Sequence, residues 1–425
     1  MSLDVLLIGS GGREHALAWK LAQSRSLGRL YAAPGNPGIA ECSEIVALDT
    51  ASNEAVVDFC RAHGIGLVVI GPEAPLVAGL ADALTDAQVP VFGPTAAAAR
   101  LEGSKGFTKD LCTRHDIPTA RYKRFTDAAA AKSYLEDTGL PQVIKADGLA
   151  AGKGVTIATT KAEALAAVDR CFEGDFGGPG AEIVIEEFLE GEEASLFCLC
   201  DGERALVFGT AQDHKRAFDR DRGPNTGGMG AYSPALCMSE RMVERTMREI
   251  IRPTLEGMRE IGSPFRGILY AGLMLTETGP KLIEYNVRFG DPECQVLMMR
   301  LDSDILPAFL AAARGDISDV EVKWSARRAL TVVIAADGYP GSYRKGTEIA
   351  RLPASSETMR VFHAGTSLDG EKLLATGGRV LNVTATGDSV REAAKRAYDA
   401  VSDVEWDQGF FRSDIGHRAI MVEQE

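Results

Sequence analysis

The chain has 425 residues, 45% of them hydrophobic and 25% charged, which predicts a globular protein with roughly two to four domains. Its 46 basic and 60 acidic residues give a net charge of −14, which argues against nucleic acid or an anionic membrane as a partner. The sequence shows no signal peptide and no apolar run near the roughly 18 residues of a membrane span, so we expect a cytoplasmic protein.

The N-terminal stretch predicts a strand over residues 4–9, a glycine-rich turn and then a helix over 16–23. Such a turn is an anion site, because free backbone N–H groups and the helix dipole point at one spot. A dinucleotide is disfavoured, since its fingerprint has glycine where Glu14 stands and an acid after the next strand, 30–33. A single phosphate on a sugar fits the turn better.

Two further strands, 67–70 and 91–94, also end in turns rich in glycine and proline. Because open parallel sheets bind ligands at the carboxyl ends of their strands, we predict an α/β domain over residues 1–100 with a ligand at that edge. An alanine-rich stretch then marks the start of a second domain, 101–325, whose first residues carry Lys105. Taken alone, Lys105 is typical of a surface lysine.

Residues 141–158 predict two antiparallel strands joined by a glycine-rich loop. The glycines of this loop are Gly148, Gly152 and Gly154. The loop differs from a Walker A motif, because it enters a strand and lacks Ser or Thr after Lys153. It is typical of a flap that closes over phosphates with backbone N–H groups while Lys145 and Lys153 supply charge. A mobile hairpin tip is the alternative.

An acidic stretch over 182–194 includes the end of another apolar strand. Glu186 and Glu187 could accept a hydrogen bond from an adenine amino group, with the backbone near Leu189 beside the base. Glu193 could accept hydrogen bonds from ribose hydroxyls. When the stretch is taken alone, an acidic edge strand is the favoured interpretation.

Residues 212–230 are basic and rich in glycine, with no helix or strand periodicity. We therefore predict a long loop, and loops of this length and polarity are more often functional or disordered than structural. The stretch supplies the local positive charge that an anionic substrate requires.

A β-hairpin is predicted from an apolar arm over 268–275 and an alternating arm over 281–289. Because side chains alternate across a strand, Glu284, Asn286 and Arg288 would share one face. A carboxylate and an amide oxygen two residues apart suit Mg²⁺ or Mn²⁺ that keeps several waters and bridges phosphates. Arg288 could neutralise a transferred phosphoryl group. A solvated face of an edge strand is the alternative.

The pattern changes again after residue 316. Strands near 330–335 and 379–385 and a helix over 389–401 predict a small α+β domain over 326–425. The composition of this domain does not indicate its role.

Four of these features come in the order and spacing of the ATP-grasp superfamily: Lys105, Lys145 with its flap, the stretch 186–189, and the strand from Glu284 to Arg288. The chain further resembles the phosphoribosylamine–glycine ligase family, also called glycinamide ribonucleotide synthetases. This resemblance extends from Leu7 to about Arg418. It rests on the motifs GSGGREHALAW, GPEAPL, FGPTAAAARLEGSK, KADGLAAGKGV, EEFLEGEEAS, QDHKR, GPNTGGMGAYSP, LYAGLM, NVRFGDPE and FHAGT.

The resemblance implies a mixed α/β and α+β protein with an N-terminal open parallel sheet, a two-part ATP-grasp core and a small C-terminal α+β domain. A flap subdomain is expected at about 120–190. The implied reaction is ATP-dependent ligation of glycine to 5-phosphoribosylamine, giving glycinamide ribonucleotide, ADP and phosphate through glycyl phosphate in de novo purine biosynthesis. The implied partners are small molecules, and we expect a monomer, with a weak dimer as the alternative. Another ATP-grasp carboxylate–amine ligase or carboxylase, and a nucleotide sensor without turnover, are the rival interpretations.

The family's functional residues carry over onto matching positions. The metal would be held by Glu284 and Asn286, and the catalytic residues would be Arg288, Asp213 and Lys145. ATP would be bound by Lys105, Lys145, Gly148, Gly152, Lys153, Gly154, Glu186, Glu187, Leu189 and Glu193. The other substrates would be bound by Gly9, Gly11, Gly12, Asn36, Gly71, Glu73, Asn225, Gly227, Gly228, Met229, Gly230 and Arg288, with the sugar phosphate on the first helix N-terminus. Leu275 stands where many ATP-grasp enzymes have a further metal-binding acid, so few protein ligands are expected.

Overall fold

The computed structural model describes residues 2–149, 154–173 and 181–424, so Gly152 and Lys153 of the predicted flap lie outside the described residues. The N-terminal elements are β1 Leu3–Gly9, α1 Gly12–Leu21, β2 Leu27–Pro34, a 3₁₀ turn Ile39–Glu41, β3 Glu44–Ile45, α2 Asn53–His63, β4 Leu67–Ile70, α3 Glu73–Val77, α4 Leu80–Asp86 and β5 Val91–Phe92. Their strands form a parallel sheet in the order β3-β2-β1-β4-β5. The predicted open parallel sheet is confirmed.

Helix α1 begins at Gly12, four residues before the start expected from the sequence. The Gly11 N–H donates a hydrogen bond to the Glu14 carboxylate at 2.7 Å, which is the half of a capping box that a glycine N-cap allows. The glycines alone favour a non-helical turn, but the cap satisfies the exposed N–H groups and starts the helix earlier.

Two helices lead away from this sheet, α5 Ala96–Gly103 and α6 Lys105–Arg114. The next elements are β6 Tyr122–Phe125, α7 Ala128–Asp137, β7 Gln142–Ala146, β8 Val155–Ala158, α8 Lys161–Phe172 and β9 Ile183–Glu187. Their strands form a separate antiparallel sheet in the order β6-β9-β7-β8, called the flap sheet below. The pair β7 and β8 confirms the predicted antiparallel strands on either side of the glycine loop.

The remaining elements surround one large sheet. Those before residue 320 are β10 Glu192–Asp201, β11 Ala205–Asp213, β12 Arg216–Phe218, β13 Arg222–Asn225, β14 Gly230–Ser233, α9 Glu240–Thr246, a π-helical turn Met247–Ile251, α10 Arg252–Glu260, β15 Arg266–Thr276, β16 Gly279–Asn286, α11 Glu293–Arg300 and α12 Ile305–Arg314. Those after it are β17 Arg328–Ala336, β18 Thr347–Ile349, β19 Met359–His363, β20 Thr366–Asp369, β21 Lys372–Ala375, β22 Arg379–Gly387, α13 Val390–Ser402, β23 Gly409–Phe410 and α14 His417–Val422. The mixed α/β and α+β class is confirmed.

In the described part of the chain, the large sheet has nine strands in the order β16-β15-β10-β11-β14-β17-β22-β19, with β23 beside β17. Strand β14 is the link, because it pairs with β11 on one side and with β17 on the other. The sheet therefore continues across the domain boundary predicted near residue 326, and the boundaries themselves stay predictions.

The hairpin of β15 and β16 has the predicted shape with two differences. A bulge at Ile283 shifts the register, so Leu282 takes the place of Ile283 on the buried face. Glu284 and Asn286 share the opposite face as predicted, but the strand ends at Asn286, and Arg288 lies just beyond it.

The prediction of a long loop over 212–230 is wrong. The stretch contains the end of β11, a hairpin of β12 and β13, and strand β14. Arg412, whose side chain is fully buried, pairs with Asp221 at the hairpin tip at 2.9 Å. Sequence periodicity missed these strands, because β13 reads Arg-Gly-Pro-Asn and β14 finds its partners far along the chain.

The N-terminal sheet packs directly against the large sheet. Phe92 at the end of β5 stacks on Phe309 of α12, with ring centroids 3.8 Å apart. One hydrophobic core contains Val5 and Leu7 of β1 together with Phe197 of β10, so the two sheets are held in a fixed relation. None of the helices in the described residues has the length and apolar character needed to span a bilayer.

Candidate active site

Glu284 and Asn286 lie side by side on one face of β16. Within the described residues, neither side chain has a hydrogen bond or ion pair with another protein group. Gly272 of β15 lies directly opposite Glu284, so no side chain stands at the position that faces it across the strand pair. Both oxygens are therefore available to a ligand.

The strand before Glu284 carries Leu275, the position predicted to correspond to a further metal-binding acid in many ATP-grasp enzymes. Leu275 lies opposite Pro280. The residue that faces Glu284 is Gly272, three positions earlier, because the turn and the bulge set the pairing. The strand still offers no acid at that position.

Positive charges surround the Glu284 carboxyl. Burial raises its pKa, but the side chains of Lys215, Lys145, Lys105 and Arg288 outweigh this effect and lower the pKa below its usual value. Glu284 is therefore an ionised oxygen ligand. Within the described residues, no group of three or more His, Cys, Asp or Glu is arranged to hold a metal ion, so a cation here would have few protein ligands.

Two lysines reach toward β16 from the flap sheet and from α6. The Lys145 ammonium lies 2.9 Å from Glu186 Oε1 and donates to the carbonyl oxygen of Ile283 at 3.3 Å. Lys105 donates to the carbonyl oxygen of Gly148 at 2.9 Å, and Gly148 has a φ of +106° that favours glycine. The predicted pair of lysines is thus brought to the strand that carries Glu284.

The residues predicted to bind adenine and ribose lie in different surroundings. Glu186 is buried between lysines, whereas Glu187 pairs with Arg121 at 2.6 Å and lies at the surface end of β9. Leu189 is half-buried in the connection to β10. Glu193 pairs with Lys215 at 2.8 Å, on the side of the site that carries Asp213.

Asp213 belongs to a cluster of charged groups at the end of β11. Burial raises the pKa of the Asp213 carboxyl to about 7, with Lys215 opposing the rise and Glu293 and Glu193 adding to it. Glu293 accepts a hydrogen bond from the Tyr270 hydroxyl at 2.8 Å. A carboxyl that exchanges its proton near neutral pH can accept a proton from an amine during the reaction.

Arg288 is held by carboxylates of the N-terminal part. Its guanidinium lies 3.2 Å from Glu73 on α3 and 2.7 Å from Glu102 on α5. Glu102 also accepts a hydrogen bond from the Val287 N–H at 2.8 Å. The end of the Glu284 strand is therefore fixed to the helix that precedes Lys105.

The glycine-rich residues 225–230 are anchored by the C-terminal part. Arg379 donates to the carbonyl oxygen of Gly227 at 2.6 Å, and the Gly227 N–H donates to the Tyr339 hydroxyl at 3.2 Å. Arg379 also bonds to the carbonyl oxygen of Asp291. One arginine thus joins the glycine-rich segment to the turn that follows Arg288.

The other residues of this segment that were predicted to bind substrate take part in strand pairing or packing. Asn225 pairs with Arg216 across the β12 and β13 hairpin, and Gly230 pairs with Val332 across β14 and β17. Met229 is fully buried and its N–H donates to the carbonyl oxygen of His214 at 2.8 Å. Gly228, with a φ of +111°, lies against Pro292.

Carboxylates already occupy the N-terminus of α1, where the sugar phosphate was predicted. The Glu14 carboxylate accepts a hydrogen bond from the Gly11 N–H. The Glu14 side chain also packs against Gly9 and Gly71, so a Cβ at either glycine would collide with it. The Asp291 carboxylate lies on the other side of Gly11. The carboxylates of Glu14 and Asp291 thus border the N-terminus of α1, and a phosphate at this position stays a prediction.

Asn36 and Gly12 also have protein partners. The Asn36 amide donates to the carbonyl oxygens of Ser10 at 2.8 Å and His363 at 2.9 Å. Its oxygen accepts the Ile39 N–H at 2.9 Å. Gly12 lies beneath the Asn382 side chain, which leaves no room for a Cβ. Both residues join the N-terminal part to the C-terminal part.

Four residues with clear roles in this arrangement were missed from the sequence: Lys109, Glu102, Asp147 and Arg379. Glu102 and Arg379 contact partners 186 and 88 residues away, so local patterns carry no signal for them. Asp147 caps α6 by accepting hydrogen bonds from Ser104 and from the Lys105 N–H, and the Ser104-Lys105 helix start was a usable signal. Lys109 follows Lys105 by one helical turn.

Solved structures of known proteins share this architecture. A phosphoribosylamine–glycine ligase from Thermotoga maritima matches with a TM-score of 0.86 and 34% identity, covering 97% of this chain and all of that chain. A biotin carboxylase domain from Hydrogenobacter thermophilus, solved with ADP and magnesium, matches with a TM-score of 0.73 at 17% identity over 97% of this chain and 92% of that chain. The fold, with its lysine pair facing a Glu-x-Asn strand, defines an ATP-grasp enzyme.

Family models identify the particular branch. The models described as the N domain, ATP-grasp (A) domain and C domain of phosphoribosylglycinamide synthetase match residues 3–102, 103–294 and 329–418. The phosphoribosylamine–glycine ligase of Rhizobium meliloti is 65% identical over 421 residues, which cover 99% of this chain and 100% of the relative. The chain belongs to the phosphoribosylglycinamide synthetase family, and the family resemblance seen in the sequence is confirmed.

Proposed function

We propose that this protein catalyses the ATP-dependent ligation of glycine to 5-phosphoribosylamine in purine biosynthesis. Family membership over the whole chain supports the reaction, and the observation that carries the mechanism is the open face of β16. Glu284 and Asn286 have no hydrogen bond or ion pair within the described residues, while Lys105 and Lys145 bring positive charge to Glu284 from α6 and from the flap sheet. This is the arrangement that phosphoryl transfer from ATP requires.

The oxygen donors fit a hard divalent cation, Mg²⁺ or Mn²⁺. Glu284 is ionised and Asn286 offers an amide oxygen, and such a pair suits an ion that keeps water and phosphate oxygens among its ligands. When bound, this ion neutralises charge on the transferred phosphoryl group. Lys105, Lys145 and the backbone of Gly148 and Gly154 bind the phosphates beside it, and Gly152 and Lys153 keep their predicted share in this contact.

The chain's own residues position the reactants for two displacements. An oxygen of the glycine carboxylate attacks the γ-phosphorus of ATP, and ADP leaves, giving glycyl phosphate. The amine nitrogen of phosphoribosylamine then attacks the acyl carbon, and phosphate leaves. Arg288 stabilises the charge on the equatorial oxygens in the first step, and Asp213 accepts the proton that the amine releases in the second.

The base and ribose of ATP lie along the connection between the flap sheet and the large sheet. Glu186 accepts the adenine amino group and the backbone near Leu189 contacts the ring, while Glu187 and Glu193 flank this position through their lysine and arginine partners. Phosphoribosylamine lies at the edge formed by Gly9, Gly11, Gly71 and Glu73, which Gly12 and Asn36 support through their contacts with the C-terminal part. Glycine lies near Asn225, Gly227, Gly228, Met229 and Gly230. The monomeric state and the cytoplasmic location stay predictions.

ADP release distinguishes this function from that of another ATP-grasp enzyme. We expect ADP to form when glycine and phosphoribosylamine are both present with Mg²⁺, and not with either alone at a comparable rate. Bicarbonate offered with other acceptors serves as the contrast. Release of ADP only with bicarbonate would contradict the proposal.

A further inference from the structure

Glu186 lies buried between two lysines rather than facing open space. Its carboxylate is 2.9 Å from the Lys145 ammonium and 3.2 Å from the Lys109 ammonium. All three side chains are at most 5% exposed. The cluster carries one negative and two positive charges, so it has one buried positive charge in excess.

The two lysines are held to very different degrees. Lys109 donates to the Thr119 hydroxyl at 2.7 Å, and that hydroxyl donates to the carbonyl oxygen of Leu282 at 2.7 Å. The ring of Tyr122 covers Lys109 at 5.5 Å. Among the described residues, Lys145 has its ion pair with Glu186 and one long hydrogen bond, 3.3 Å, to the carbonyl oxygen of Ile283.

Of the two lysines, Lys145 is the one whose charge acts strongly on Glu284. Lys145 is among the charges that lower the pKa of Glu284 most, and Lys109 is not among these largest contributors. Burial lowers the pKa of Lys109, with Glu186 opposing the change, so the buried ammonium depends on that carboxylate. An incoming polyanion beside Glu284 would therefore draw Lys145 and leave Glu186 and Lys109 as a neutral pair.

We propose that Lys109 is a positioning residue that keeps the Glu186 carboxylate in place when Lys145 turns from Glu186 to the phosphates of the nucleotide. Glu186 Oε1, which has no aligned hydrogen bond in the described structure, is then the acceptor left for the base. The proposal rests on the proposed function, because it assumes that Lys145 binds phosphate and Glu186 binds adenine.

The test compares Lys109→Met with Lys281→Met in the full chain. Lys281 pairs with Glu187, the next residue along β9, at 3.6 Å, so the control removes the same charge from the neighbouring glutamate. With Lys109 gone, Lys145 stays bound to Glu186, and we expect the KM for ATP to rise about tenfold or more with a smaller change in kcat. The control should leave the KM for ATP within about twofold.

Two further variants guard against a purely structural effect. Lys109→Arg should restore most of the ATP affinity, and in a Glu186→Gln background Lys109→Met should raise the KM for ATP by less than in the native chain. If Lys109→Met fails to fold, Thr119→Val, which removes the hydroxyl that holds Lys109, should raise the KM for ATP in the same direction. Equal KM values for Lys109→Met and Lys281→Met would overturn the proposal.

Titration calorimetry with a non-hydrolysable ATP analogue separates this inference from the proposed function. Weaker binding of the analogue by Lys109→Met than by Lys281→Met supports the inference even if no ligase activity is found. Full ligase activity in the native chain with equal binding by the two variants supports the function and removes the inference.

Discussion

The two sides of the site use their polar groups in opposite ways. At the proposed phosphoryl-transfer edge, Glu284 and Asn286 have no hydrogen bond or ion pair within the described residues, and Lys145 has one ion pair and one long hydrogen bond there. On the side proposed for phosphoribosylamine, Glu14 and Asn36 are fully engaged in hydrogen bonds within the protein. The polar groups of the first side are available to a ligand, whereas those of the second side are already hydrogen-bonded to other protein groups.

The difference reflects what each side has to bind. A nucleotide with its metal is highly charged and must bind and leave in every cycle. Protein groups without a competing protein partner can bind it without first breaking another contact. The edge around α1 instead joins three parts of the chain, and its carboxylates satisfy the helix N-terminus themselves. Substitutions around β16 should therefore change catalysis more than stability. Substitutions around the N-terminus of α1 should change stability more than catalysis.

The largest expected change in turnover is for Glu284→Gln. Loss of the ionised oxygen should reduce kcat by about 10²-fold or more, because a neutral amide holds a divalent cation poorly. The free energy of unfolding should fall modestly, because the carboxylate offsets the charges of the nearby lysines and Arg288 but has no hydrogen bond or ion pair to lose within the described residues. Steady-state rates across a Mg²⁺ titration and urea unfolding check both parts. Native turnover at ordinary Mg²⁺ would remove Glu284 from the site.

Asp213→Asn should cost about 10²-fold in kcat/KM for phosphoribosylamine at pH 8, because the amide cannot accept a proton. The pKa of about 7 for Asp213 places the active, ionised form above neutral pH. The native kcat/KM should therefore rise through pH 7 and then level off. Asp219→Asn, at the exposed hairpin tip, is the matched control. An unchanged inflection in Asp213→Asn would assign the titration to another group.

The same shift predicts a stability effect. The pKa of Asp213 in the folded protein lies above the value of about 4 for an unfolded chain, so the folded state binds more protons between these limits. The contribution of Asp213 to stability therefore falls as the pH rises from about 4 to about 7. Asp213→Asn should remove this fall from the pH dependence of the free energy of unfolding.

Lys145→Ala should act on ATP more than on the later step. We expect the KM for ATP to rise about tenfold, because the ammonium that would bind phosphate is gone and Lys105 remains. Lys132→Ala, a half-exposed lysine on α7 that pairs with Asp169, is the control. A KM for ATP equal to that of the control would contradict the role given to Lys145.

Asn36→Ala is expected to have the smallest effect on turnover. It leaves the buried carbonyl oxygens of Ser10 and His363 without their donor, which costs about 1–3 kcal/mol of stability. The KM for phosphoribosylamine should change by about twofold or less. Urea unfolding and steady-state kinetics measure the two effects. A large rise in KM with native stability would restore Asn36 to a direct substrate contact and weaken the contrast between the two sides.

Sequence periodicity was informative where structure is local. The parallel sheet, the β7 and β8 pair and the shared face of Glu284 and Asn286 follow from alternation and turn residues within a few positions. The bulge at Ile283 was not visible, because it depends on how β16 pairs with β15.

Contacts between distant segments were the part that sequence could not provide. The partners of Arg288, Asn36 and Gly227 lie on other parts of the chain. A local sequence pattern does not show whether such a polar group bonds to a distant protein group or to water. The glycines at 9 and 71 suggested an approach by phosphate, but glycine is equally suited to the close approach of Glu14. Composition alone does not separate these two causes.

Strand β14 has a consequence for how this chain can be divided. It lies between β11 and β17, so removal of everything after residue 326 would uncover the hydrogen-bonding edge of Gly230–Ser233. An uncovered edge invites pairing with other copies and aggregation. The C-terminal part therefore protects the ATP-binding part from self-association, and neither part is a free-standing module that could be exchanged between proteins without a replacement strand.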